Sequence, residues 1–180
     1  MATPTTLPAS FTAGQILTAA QMNDLRGAFR VLQVVSTAKT DTFTSSSTSF
    51  IDITGLSVSI TPQSATSQIL VFAQVSGAED VGVAAAVFRL MRDATAIDVG
   101  AVAGSRNPVS GQFAPLNTNS IDTKPISFLD SPATTAATTY KIQGRMISAG
   151  TFYVNRSKTD TDSTSYFRTA STITVMEISA

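Results

Sequence analysis

A two-residue alternation of apolar and polar side chains, sustained from about residue 31 to the C-terminus, most restricts what this chain can fold into. Leu56, Val58 and Ile60 alternate with Ser57, Ser59 and Thr61, and Tyr140, Ile142 and Met146 with Lys141, Gln143 and Arg145. Period two sends successive side chains to opposite faces of an extended chain, so each run reads as a half-buried strand. Ile69 to Val75 is apolar on both faces, as in a central strand. Further strands are expected at Val31–Ser36, Phe50–Ile53, Val83–Met91, Thr95–Val99, Ile126–Leu129, Thr151–Val154 and Thr172–Ile178. Gly55, Pro62, Gly77, Gly82, Asp93-Ala94, Pro132 and Gly150 supply turn signals between them. Roughly nine or ten short strands with no internal helix predict an all-β, antiparallel, jelly-roll-like sandwich over residues 31–180.

Composition agrees. The 180 residues hold 27 Thr and 22 Ser but only four Lys and two Glu. Thr suits a pleated surface, whereas helices draw on Glu, Lys and Leu. Charged residues are 13% against the roughly 25% usual for a soluble domain. The formal net charge is zero, so an electrostatic nucleic-acid binder is not expected. With neither cysteine nor histidine, the chain has no disulfide, no thiol nucleophile and no imidazole base or zinc ligand. Neither a signal peptide nor a membrane span is recognised, which predicts a soluble product made in a cytoplasm without membrane insertion.

Residues 1–30 differ from the rest. Pro4, Pro8 and scattered apolar residues read as an extended arm as far as Leu17. One short helix is then expected. Thr18-Ala19-Ala20-Gln21 fits a capping box, and Met22, Leu25 and Phe29 fall on one apolar stripe. Gly27 weakens that helix, and at about 12 residues it is marginal unless packed on something. Leu7, Phe11, Leu17, Met22, Leu25 and Phe29 are therefore the expected anchor, onto the chain's own sandwich or onto another chain.

The search for chemistry yields little. There is no phosphate-binding glycine loop, and a Ser-His-Asp triad is impossible without histidine. Glu79, Asp80, Asp160 and Asp162 are the candidates for a carboxylate pair. Glu79-Asp80 reads as a solvated turn. Asp160-Thr161-Asp162 has a spacing that suits calcium oxygens, yet the glycine and closing glutamate of a calcium loop are missing, so a polar hairpin loop is expected and no metal or cofactor. Asn155-Arg156-Ser157 fits a glycosylation sequon and is read as chance. Arg89 and Arg92 fit exposed strand positions leaning on apolar neighbours, or ion pairs across a subunit interface. Tyr153 fits a sheet-face aromatic, or a platform for a sugar. Gly100 to Lys124 reads as one long loop, and such loops are usually functional. Asn107, Gln112, Asn117 and Asn119 offer amides there, and Phe113 and Leu116 offer apolar contact.

Phe11-Thr12-Ala13-Gly14-Gln15-Ile16-Leu17-Thr18-Ala19-Ala20-Gln21-Met22-Asn23 resembles an N-terminal segment recurrent in bacteriophage tail-fibre and other virion structural proteins. Phe50 to Pro62, Phe88 to Asp93, Ile126 to Pro132, Thr151 to Ser157 and Ser171 to Ile178 resemble a small β-sandwich of such proteins. The resemblance implies a non-enzymatic virion component, assembled as a trimer, with other virion proteins and a host surface glycan or receptor as partners. It departs at Asp93-Ala94, where glycine is expected in a tight hairpin. The reading drawn from it is a small fibre or spike anchored by its N-terminus and contacting the host. A capsid decoration (cement) protein is the alternative. A carbohydrate-acting enzyme on a β-sandwich is a third reading, poorly served by two glutamates.

Overall fold

The alternating runs become strands whose apolar sides meet between two sheets. The computed structural model describes residues 13, 14, 16, 18, 19, 22, 31–81, 86–115, 117 and 119–179. Among them are eleven strands: β1 (Val31–Lys39), β2 (Phe43–Ser45), β3 (Ile51–Ile60), β4 (Gln68–Glu79), β5 (Ala86–Arg92), β6 (Thr95–Ile97), β7 (Gly111–Phe113), β8 (Asp122–Asp130), β9 (Thr138–Met146), β10 (Phe152–Val154) and β11 (Ser171–Ile178). Every pairing is antiparallel.

Three pairs of strands share a row. β10 and β11 lie along the same edge of β4, β1 and β2 continue one another outside them, and β6 and β7 lie along one edge of β5. Counting rows in chain order, one sheet runs first, eighth, third, sixth, and the other second, seventh, fourth, fifth. That order is a jelly roll. Its core is the inward set of the alternation, with Ile53, Leu56, Val58 and Ile60 from β3 facing Ile69, Val71, Ala73 and Val75 from β4, and Tyr140, Ile142, Ile173 and Val175 completing it. Each large side chain buried here contributes about 1.5–3 kcal/mol.

Several expectations need correction. The short helix does not appear as an element: all eleven elements are strands. The helical contact described in that stretch is one hydrogen bond, from Met22 N–H to the Thr18 carbonyl at 3.0 Å. Met22 is 54% exposed, so its side chain lacks the packing that a marginal helix needs. Phe50–Ile53 and Leu56–Ile60 are not two strands. They join as β3 through an irregularity at Gly55, whose φ of +83° lets both Ile53 and Leu56 turn inward. Gly77 is not a turn. It lies within β4, where a Cβ would collide with the Tyr153 carbonyl and the Phe113 ring. Glu79 is not a solvated turn residue either: it is buried, and its carboxylate accepts from Val81 N–H at 2.6 Å. The Asp93-Ala94 hairpin closes without glycine, because Asp93 takes the positive φ, +50°, and caps Thr139 N–H at 2.8 Å.

One polar group sits deep in this core. The Tyr140 hydroxyl donates to Asp130 Oδ2 at 2.7 Å, and Arg92 Nη1 donates to both Asp130 oxygens at 2.7 and 2.9 Å. Burial first, then the hydrogen bond to Asp130 and its charge, push the Tyr140 phenol far above its ordinary value of 10.0. An acid whose folded pKa is raised keeps its full stabilising contribution below the unfolded pKa and loses it as pH rises beyond. Above about pH 10 wild type should therefore lose about 1.4 kcal/mol per pH unit more than Tyr140→Phe does. Urea unfolding of both proteins between neutral and strongly alkaline pH measures this, and parallel curves would mean that the phenol ionises in place.

Candidate functional site

Three sets of residues are candidates for contact. Of the anchor residues, Leu7, Phe11, Leu17, Leu25 and Phe29 lie outside the described residues. Met22 and its neighbour Ile16 are described, and both are exposed, Ile16 at 89%.

The second set is the region 100–124, which the fold divides. Residues 98–110 cross the edge of the second sheet from β6 to β7, and 114–121 connect β7 to β8. The 114–121 connection belongs to the end of the sandwich that also carries 46–50 and 147–151. Those two segments are joined to their surroundings by Met146 N–H donating to the Ser47 carbonyl at 2.8 Å and Thr151 N–H donating to Asp80 Oδ1 at 2.7 Å. Val31, where β1 begins, lies at the opposite end, beside 61–67 and 131–137. Asn107, Gln112, Asn117 and Asn119 are exposed, and Leu116 lies outside the described residues. Asn119 N–H donates to Asn117 Oδ1 at 2.9 Å, and Ser120 N–H to the Asn117 carbonyl at 3.0 Å, so the two amides sit on an ordered turn. Phe113 does not join them. It is 2% exposed in the chain's own core, its ring 5.3 Å from that of Phe88. The three-residue strand β7 alternates Gln112 out and Phe113 in, a signal too short to read against the surrounding Gly, Pro and Asn.

The third set is the excursion between β10 and β11. Asn155 opens it and is fully buried, with φ at +62°. Its amide nitrogen donates to the carbonyls of Lys39 and Asp41, each at 2.8 Å, and its Oδ1 accepts from the Ser171 hydroxyl at 2.7 Å. One side chain thus ties the β1–β2 break to the β10–β11 break. The sequon here is structural, since its asparagine is inside the protein. Arg156 then stacks on Tyr153 at 4.5 Å, which makes Tyr153 a sheet-face aromatic already covered by a cation. Asp160 is held by Arg156 at 3.0 Å and by Arg168 at 2.6 and 2.8 Å. Desolvation works to raise its carboxyl, but the hydrogen bonds from Arg168 and Arg156 prevail and hold it below the ordinary range. A carboxylate already matched by two guanidiniums is a poor calcium ligand, and no cluster of three acidic ligands occurs among the described residues. An open cleft of about 350 Å³ is lined by Asp160, Asp162, Ser163, Tyr166, Phe167 and Arg168, with Phe167 66% exposed.

Arg89 and Arg92 both act within the chain. Arg89 lies over the Phe50 ring at 4.0 Å and bonds Gln143 Oε1 at 2.8 Å, while Arg92 serves Asp130. Sequence reasoning missed Asn155, whose only visible signal was the sequon.

No protein-family model matches the sequence, and no curated protein matches it either. Among solved structures, the chain is similar to one described as the structure of infectious bursal disease virus Gx strain, with a TM-score of 0.36 and 17% identity over 82% of this chain. The match covers 38% of that chain. A likeness this loose carries no argument about function and adds nothing to the jelly roll derived from the strand pairings.

Proposed function

We propose that this chain is a non-enzymatic structural protein of a bacteriophage virion, held on the particle by residues 1–30, and that it decorates and cements the capsid. The observation that carries the reading is the exposure of Ile16 and Met22. These large apolar side chains lie exposed in a segment that resembles virion proteins. Covering them with a partner would be favourable, since burial of each apolar side chain stabilises. Cementing is preferred to host contact because Phe113, the one described aromatic expected to serve the contact loop, belongs to the core. The fibre reading keeps one observation in its favour: Asn117 and Asn119 are exposed at the end of the sandwich away from Val31.

The test is Ile16→Asp combined with Met22→Asp. Burial of each side chain is worth about 1.5–3 kcal/mol, and 1.4 kcal/mol is tenfold in affinity. Occupancy on particles should fall about a hundredfold while the melting temperature of the free protein stays unchanged. Particles without the protein should release their genome at a lower temperature and still adsorb to cells. Normal loading of the variant would overturn the anchor. Normal heat resistance with lost adsorption would replace the cement role by the fibre role.

A further inference from the structure

We propose that the outer face of the sheet formed by β1, β11, β4 and β8 is the docking surface for a second copy of this chain. The proposal stands independently of the virion reading.

Register places the key residues. Val34 is opposite Met176, Met176 opposite Leu70, and Leu70 opposite Leu129, so four apolar side chains cross all four rows in one line. Phe72 stands beside that line on β4. Val34, Phe72 and Leu129 are 53%, 42% and 48% exposed. The rest of the outward set on these rows is mainly Thr, Ser, Gln and Ala, and no outward position is charged. The outer face of the other sheet is the reverse. It carries Asp52, Arg89, Lys141 and Arg145, with Lys141 paired to Asp52 at 2.8 Å. Of the two outer faces, one carries these four charges and the other carries none. A continuous apolar band across a bare sheet marks a surface that becomes covered.

The occupant follows from charge and area. A partner of different sequence is ordinarily selected by complementary charge, and this face has none to complement. A copy of the same face meets no like-charge repulsion, and the formal net charge of zero adds none at long range. Four rows about 4.8 Å apart and nine residues at about 3.4 Å each span roughly 500–600 Å². With rim residues that approaches the roughly 800 Å² per partner of a standard interface. The exposure of Val34, Phe72 and Leu129 shows that the chain itself leaves the band open.

Sedimentation equilibrium of the full chain across the micromolar range should give a multiple of 18.8 kDa. Phe72→Lys would bury an unpaired charge in the interface and should weaken association by roughly a hundredfold, while Ser57→Lys on the other outer face should not. A single-chain mass for wild type, an unchanged mass for Phe72→Lys, or dissociation by Ser57→Lys would each overturn the proposal. Because the chain lacks cysteine, nitroxides at Ser127→Cys and Ser57→Cys give a second reading that no folding defect of Phe72→Lys affects. Labels at 127, directly opposite Phe72, should be immobilised and show dipolar coupling between copies, and those at 57 should be mobile. Coupling at 57 with free motion at 127 would assign the interface to the other sheet.

Discussion

Asn155→Ala should lower stability by about 3–4 kcal/mol, because one truncation leaves three buried or partly buried polar groups without their partner. The carbonyls of Lys39 and Asp41 lose their donor, and the Ser171 hydroxyl loses its acceptor. These groups sit where two of the four rows of the first sheet are interrupted, so the neighbouring ladder cannot replace the lost bonds. Backbone bonds hold the same point, with Asn155 N–H donating to the Ser76 carbonyl at 2.9 Å and Thr169 N–H to the Asn155 carbonyl at 3.1 Å. Alanine also tolerates the φ of +62° poorly. At roughly 2–4 °C per kcal/mol for a chain this long, the melting temperature should drop by about 10 °C. Asn155→Gly relieves the backbone term and should recover about 1 kcal/mol of that loss. Calorimetry of the two variants decides it: an alanine protein that melts within a degree or two of wild type would show that the side chain does not hold the break together.

The sandwich was legible because its long strands carry an unbroken alternation. Burial of Leu56, Val58 and Ile60 and of Tyr140, Ile142 and Met146 follows the sequence residue for residue. The short strands were not legible. Phe43–Ser45 and Gly111–Phe113 are three residues each, in serine- and glycine-rich surroundings, and they are strands because β10 and β5 offer them edges. Gly77 read as punctuation because glycine usually is. Here it is required by the close approach of the Tyr153 backbone and the Phe113 ring, which no local pattern encodes. The expected helix is not an element of the fold: among the described residues of that stretch only Ala19 and Met22 are helical, and the Leu25 and Phe29 of its stripe lie outside them. Of the candidate site, the exposed amides were legible as exposed. The role of Asn155 was not, since a buried asparagine and a surface sequon look alike in one dimension.

Phe113→Ala and the pair Asn117→Ala, Asn119→Ala should behave as two unrelated perturbations, although the residues are at most six apart. Phe113 fills the space between Phe88 and Gly77, so its loss opens a cavity where two rows of the core meet and should cost about 3–5 kcal/mol. That is about 10 °C in melting temperature. Any failure of this variant on a particle would then report folding and not contact. Asn117 and Asn119 are exposed and share a single turn hydrogen bond, so their double replacement should cost less than about 1 kcal/mol. A defect in that variant would report what the distal loop touches. If the amide variant loads normally and particles keep both adsorption and heat resistance, the loop is a connection and the anchored segment carries the attachment alone. If it loads normally but adsorption fails, the loop meets the host. If Phe113→Ala keeps the wild-type melting temperature, the division of this region into a core strand and an outer loop is wrong.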